Sequence, residues 1–258
     1  MITAASNSRI KRLVQLNQKS KLRRTEDGFL AEGVKMFLEA PREQLQEVYV
    51  SESFLEKCSC REHLEEVGYE VVSDSVFSKI SDTCTPQGVL CVLKQFHYNI
   101  EEMLRDKAPL FLLLENIQDP GNLGTMLRTG EGAGVSGIIM SRDTVDLYNP
   151  KVIRSTMGSI YRVPFYYADD FAAAVHQVQR AGVSVYAAHL RGKNSYACQD
   201  YTKGTAFLIG NEGNGLREET AELADCYIRI PMEGKVESLN AAVASSILMY
   251  EAHRQRAI

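Results

Sequence analysis

The chain has 258 residues, of which 45% are hydrophobic and 24% charged, and its formal charge is −4. Those values describe an ordinary globular protein of one large domain or two smaller ones, and the acidic balance excludes a protein that coats nucleic acid indiscriminately. No apolar run approaches the roughly 18 residues that cross a bilayer, and the first residues lack the apolar core of a secretory signal, so a cytoplasmic protein with no membrane partner is expected.

The charge is unevenly spread. Arg9, Lys11, Arg12, Lys19, Lys21, Arg23 and Arg24 crowd the first 25 residues, which contain no acid. Such a segment suits a phosphate backbone, or is a solvated basic helix face. The six cysteines lie in apolar or mixed surroundings, and only Cys58 and Cys60 are close. No second pair or histidine partner completes a zinc site, so free thiols and no metal are expected.

Ile10, Leu13, Val14 and Leu16 fall near helical spacing and predict a basic amphipathic helix from Ser8 to about Leu22. A short strand at 29–32, a helix at 34–40 ended by Pro41, a strand at 45–51, a helix at 52–67, a strand at 69–73 and a short helix at 75–81 follow. "GVLCVLK" (88–94) closes an α/β domain over 1–95, and the mixed segment 96–108 reads as a linker.

From 109 onward strands and helices alternate. Strands are predicted at 110–116, 137–141, 162–167 (an edge), 183–189, 204–211 and 226–232. Helices are predicted at 121–133, 149–160, 169–181, around 217–224, and from Ser238, as N-cap, to about Gln255. Continuous apolar strands between helices imply a mostly parallel sheet covered on both faces, with ligands beyond the carboxyl ends of its strands. The loops after Glu115, His189, Ile209 and Met232 are therefore the places to look.

"NIQDPGNLGTMLRTGEGAG" (116–134) opens a helix with Asn116, Asp119 and Asn122 before it and Arg128 inside it. It fails as a dinucleotide fingerprint, since Gly121-x-x-Gly124 lacks the first glycine pair and no acid ends the next strand. It also lacks the Gly-Lys-Ser/Thr of a phosphate-binding P-loop. Arg128 is a fixed cation with five donors, suited to phosphate or developing negative charge, or else to a salt bridge. "LIGNEGNGL" (208–216) is a second strand with a glycine-rich turn around Asn211, Glu212 and Asn214, which implies positive φ or a ligand against the backbone. "IRIPMEGKVESLNAAVASSILMYE" (228–251) leads through Pro231 and Gly234 into the last helix, where Asn240 has little reason to stand for helix propensity.

These three loops, in this order, resemble the three signature motifs of the SpoU (TrmH-type) RNA ribose 2′-O-methyltransferases of the SPOUT superfamily. "FLAEGVKMFLEA" and "TPQGVLCVLK" resemble an L30e-like RNA substrate-binding domain, so the likeness spans nearly the whole chain. Gly130, Glu131 and Ser136 depart from the commoner family residues without removing a functional side chain.

The resemblance implies a parallel-sheet methyltransferase domain over 109–258 with a trefoil knot at about 183–258, preceded by the L30e-like domain. It implies methyl transfer from S-adenosylmethionine to a ribose 2′-hydroxyl of structured RNA, ribosomal more than transfer RNA, by a homodimer paired through the knotted region. The matching catalytic positions are Asn122, Arg128, Glu212, Ser238 and Asn240, with Glu212 either touching substrate or holding the loops together. The cofactor positions are His189, Leu190, Leu208, Ile209, Gly210, Asn211, Glu212, Ile230, Met232, Ser238 and Leu239. Arg9, Lys11, Arg12, Lys21, Arg23 and Arg24 would then contact RNA. The apolar face Leu239, Val243, Ile247 and Tyr250 is either interface or core. The competing readings are a catalytically inactive RNA-binding protein of the same fold and a dehydrogenase with an unusual nucleotide loop.

Overall fold

The computed structural model describes residues 1–257. By contacts the chain forms two compact units, residues 1–96 with 146–161, and residues 97–145 with 162 onward. Residues 146–161, placed by the sequence in the C-terminal domain, pack with the N-terminal unit. The helix Pro150–Thr156 lies against the strand Gly28–Glu32, and the Tyr161 hydroxyl donates to Met36 O at 3.0 Å.

The N-terminal unit is built on a four-stranded sheet of β1 (Gly28–Glu32), β2 (Leu45–Ser51), β3 (Glu70–Val72) and β4 (Val89–Lys94) in the order β1-β4-β2-β3. β4 runs antiparallel to both neighbours, and β3 parallel to β2. The predicted basic helix exists but breaks at Lys19, which is extended, giving helices Ser8–Gln18 and Ser20–Glu26. The break turns Arg23 inward, where its Nη1 donates to Leu16 O at 2.7 Å and Asn17 O at 3.0 Å. Carbonyls at the end of an α-helix have no partner within the helix, and a side-chain cation satisfies them well. Ile10, Leu13 and Leu16 meet Tyr49, Phe77, Ile80 and Val92 in the core beneath. A second predicted helix, 52–67, also breaks, around Cys58–Cys60.

The second unit holds a seven-stranded sheet in which every pairing is parallel. Its strands are β5 (Leu110–Leu114), β6 (Gly137–Ser141), β7 (Phe165–Ala168), β8 (Ser184–Ala188), β9 (Asn194–Ser195), β10 (Thr205–Ile209) and β11 (Cys226–Arg229). They lie in the order β7-β6-β5-β10-β8-β11-β9. β5, β6 and β10 are buried at every position, as strands covered on both faces must be. β7 is the predicted edge, while the short β9 at the other edge was not legible in the sequence. From β5 the chain builds outward through β6 and β7 and then returns to place β10 on the other side of β5. This reversal of direction is the switch point at which open α/β sheets bind ligands. The last helix runs Ala241–Arg256 and packs on Pro120–Ala133. Its N-cap is Asn240 and not Ser238: Asn240 Oδ1 accepts from Ala242 N at 2.9 Å and Val243 N at 3.3 Å. No helix among the described residues is long and apolar enough to cross a membrane.

Candidate active site

The loops after β8, β10 and β11, with the start of the last helix, surround one cavity of about 280 Å³, and the loop after β5 is hydrogen-bonded to its β10 wall through Glu212. Of the expected cofactor positions, His189, Leu190, Ile209, Gly210, Asn211, Glu212, Ile230, Met232, Ser238 and Leu239 line it. Leu208 does not: it is fully buried within β10, with its side chain in the core. Sequence reasoning missed Ala188, Arg229, Ala241 and Ala244 on the wall. Arg229, Ala241 and Ala244 lie within the quoted segment 228–251 but were not singled out there, and Ala188, at the end of β8, lies outside the quoted motifs.

The shape of the cavity depends on a backbone turn. Asn211 and Gly215 exchange two hydrogen bonds, at 3.0 and 2.9 Å, and Gly215 adopts φ +70°. That folds the loop back onto Gly210, where a Cβ would stand 2.2 Å from Gly215 C and Leu216 N. Only glycine tolerates so close an approach. Asn211 Oδ1 accepts from Gly213 N and Asn214 N, both at 3.0 Å, and its amide donates to Asn116 O at 2.8 Å. Asn116 itself takes the left-handed conformation (φ +54°), which asparagine tolerates better than most residues.

Glu212 binds this turn to the loop after β5. Its carboxylate accepts from Gln118 N at 3.1 Å, Asp119 N at 3.0 Å and Asn122 Nδ2 at 3.0 Å. Partial burial alone would raise the Glu212 pKa, but these donors outweigh it and hold the carboxyl below its usual range. Asn122 Oδ1 accepts in turn from Asn240 Nδ2 at 3.0 Å. One chain of hydrogen bonds therefore joins all three motif loops. Of the two roles open to Glu212, this geometry supports holding the loops together. Asn240 is explained as well, since one end of its amide caps the last helix while the other orients Asn122.

Arg128 and Ser238 stand outside this chain. Arg128 is exposed on the helix Pro120–Ala133 and has no hydrogen-bond or ion-pair partner among the described residues. The salt-bridge alternative is thus absent there. His189 is displaced below its ordinary pKa by burial first and by Arg191 second, so its ring is neutral at neutral pH and accepts from Arg191 N at 3.1 Å.

The six cations expected to contact RNA divide into three groups. Lys11, Lys21 and Arg24 are exposed, with no ion pair among the described residues. Arg9 pairs with Glu70 at 2.9 Å, and Arg12 pairs with Glu26 and Glu47, each at 2.6 Å. Arg23, at 3% exposure, is interior and pairs with Asp146 at 2.6 Å, which removes it from the expected phosphate-contacting set.

Comparison with known proteins shows the family. Residues 109–250 match the SpoU rRNA Methylase family, and residues 7–91 match the MRM3-like substrate binding domain. The chain belongs to the SpoU rRNA methylase family. It is 32% identical to the 23S rRNA (guanosine(2553)-2′-O)-methyltransferase RlmP of Bacillus subtilis, over 96% of this chain and 97% of that protein. Its fold is similar to the AdoMet-bound rRNA methyltransferase of Sinorhizobium meliloti, with TM-score 0.85 and 31% identity over 98% and 97% of the two chains. The SpoU methyltransferase AviRb of Streptomyces viridochromogenes with AdoMet superposes with TM-score 0.88 at 26% identity, over 97% and 98%.

Proposed function

We propose that this chain transfers a methyl group from S-adenosylmethionine to a ribose 2′-hydroxyl of structured RNA, ribosomal RNA in preference to transfer RNA. The observation that carries the reading is the hydrogen-bonded chain Glu212–Asn122–Asn240, which locks a substrate-side loop against the rim of the cavity. Titrating the protein with RNA and tritiated S-adenosylmethionine, then mapping 2′-O-methylated positions, tests it. Absence of transfer to any ribosomal or transfer RNA would defeat the reading.

The cavity fits this cofactor by the chemistry of its lining. Leu190, Ile209, Ile230, Met232 and Leu239 offer apolar surface. The backbone amides of Ile230, Met232 and Leu239 donate to no other described residue, leaving them for a purine or a carboxylate. The neutral His189 adds no repulsion against a sulfonium. When bound, S-adenosylmethionine supplies an electrophilic methyl group.

The side chains do the rest. Asn122, fixed from both sides by Glu212 and Asn240, orients the ribose, and Ser238 on the rim contributes a further hydroxyl. Arg128 offers its unpaired guanidinium to the RNA phosphate and to the negative charge that grows on the 2′-oxygen. A guanidinium is a poor base, so the hydroxyl proton leaves to a phosphate oxygen or to water. Lys11, Lys21 and Arg24, with Arg9 and Arg12 in their acid pairs, hold RNA by its backbone. The same reading carries a trefoil knot within 183–258, supported by the insertion of β10 between β5 and β8. It also carries a homodimer through that region, supported by the exposed Val243 and Tyr250, and a cytoplasmic location.

A further inference from the structure

Beneath the cavity lies a buried carboxylate that the chemistry above does not use. Glu115 follows β5 directly and is 2% exposed. Its backbone N–H donates to Ile209 O at 2.9 Å, where the cofactor loop begins. Its carboxylate accepts from Arg217 N at 2.8 Å and from the Thr220 hydroxyl at 2.5 Å, where that loop ends. Every residue between, Gly210 to Leu216, lines the cavity. A single residue thus closes the loop at both ends.

The chemistry of the position argues for this role over simple packing. An ionised carboxylate is costly to bury, and an apolar side chain of similar size would fill the space without that cost. What a carboxylate provides is directed acceptors, and both of its short hydrogen bonds go to the segment that leaves the cavity. The Arg217 guanidinium, 3.6 Å away, offsets part of the charge and also pairs with Asp143. The loop it closes holds three glycines, Gly210, Gly213 and Gly215, and would otherwise sample many conformations.

We propose that Glu115 is a positioning residue that sets the span of the loop 210–216 and through it the affinity for S-adenosylmethionine. This rests on the functional reading above. Glu115 does not touch the reacting atoms, and it acts on how well the cavity is formed before the cofactor arrives. Loss of one of its hydrogen bonds leaves the loop able to reach the same shape, at lower population. Binding therefore weakens while turnover of the filled site is retained.

The test measures S-adenosylmethionine binding by calorimetry, and methyl transfer at varied cofactor concentration, on full-length Glu115→Gln, Thr220→Val and Thr220→Ser. Glu115→Gln is expected to raise Kd and KM for the cofactor about tenfold, equal to 1.4 kcal/mol, with kcat at saturation within about threefold of the parent. Thr220→Val is expected to raise them severalfold, and Thr220→Ser, which keeps the hydroxyl, to restore parental values. Should Glu115→Gln fail to fold, the two Thr220 variants carry the test. Folded variants with unchanged cofactor affinity, or with kcat lost at constant KM, overturn the proposal. A parent protein that binds no S-adenosylmethionine overturns the functional reading itself, and is distinguished by being seen before any variant is made.

Discussion

Arg128 permits a clean separation of stability from function. Its side chain is exposed and has no hydrogen-bond or ion-pair partner among the described residues, so replacing it breaks neither kind of interaction within the fold. The remaining cost is helix propensity, a few tenths of a kcal/mol between Arg, Lys and Ala. Arg128→Lys and Arg128→Ala should therefore stay within about 0.5 kcal/mol of the parent, a melting shift of roughly 1–2 °C at this chain length. Cofactor affinity should hold as well, since Arg128 does not line the cavity. Transfer should not hold: removing one preorganised donor at a developing oxyanion costs about 2.7–4 kcal/mol, or 10²–10³ in rate. Arg128→Lys keeps the charge but loses the two-pronged fork, and should fall between parent and Ala. Single-turnover transfer of a tritiated methyl group at saturating RNA reads the chemical step. Near-parental turnover in the Lys variant would refute the role assigned to the fork. A raised KM for RNA at constant kcat would show uniform phosphate binding and no transition-state effect.

Other expectations follow from the same geometry. Gly210→Ala places a Cβ 2.2 Å from backbone atoms that cannot yield separately, so the turn must open; cofactor binding on calorimetry should fall by at least tenfold while the sheet, read by far-ultraviolet circular dichroism, is retained. Glu212 has a folded-state pKa below its unfolded value, so its stabilising effect is present above the unfolded value near ~4.3 and is lost as pH falls through the folded one. The melting difference between the parent and Glu212→Gln should accordingly be largest near neutrality, about one hydrogen bond or ~1 kcal/mol, and shrink on acidification; a difference that grows at low pH contradicts this assignment. Lys11→Ala, Lys21→Ala and Arg24→Ala should each lower the salt slope of RNA binding by about 0.7–0.9 with little change in melting. Arg23→Ala, which strands the carboxylate of Asp146, should cost about 3–5 kcal/mol of stability, discounted because Asp146 is partly exposed.

Much of the fold was legible because its signals are local. The buried strands "LFLLL", "GIIMS" and "TAFLI" each read as continuous apolar runs, and each is buried at every residue. The helix after β5, expected at 121–133, runs Pro120–Ala133 and is capped by Asp119, whose Oδ1 accepts from Asn122 N at 2.8 Å. The glycines of the turn after β10 implied positive φ or a ligand against the backbone, and Gly215 takes φ +70°. The sequence misjudged features that depend on distant partners. Periodicity joined Ser8–Leu22 into one helix because nothing local shows that Arg23 must turn back to the carbonyls of Leu16 and Asn17. Ser238 read as a helix cap on residue type alone, while Asn240 is held in that place partly by Asn122, more than a hundred residues earlier.

By itself, then, the sequence determined the kinds of elements, the loops that carry chemistry, and the family those loops define, because each is written in residues adjacent along the chain. Tertiary structure decided which side chains of those loops meet. Whether Glu212 faces substrate or neighbouring loop, whether Arg128 is paired or open, and which of the N-terminal cations remain available to a phosphate all turn on burial and on partners far away in sequence. A carboxylate or a guanidinium has the same formula in any of these roles, and its surroundings in the folded chain select among them.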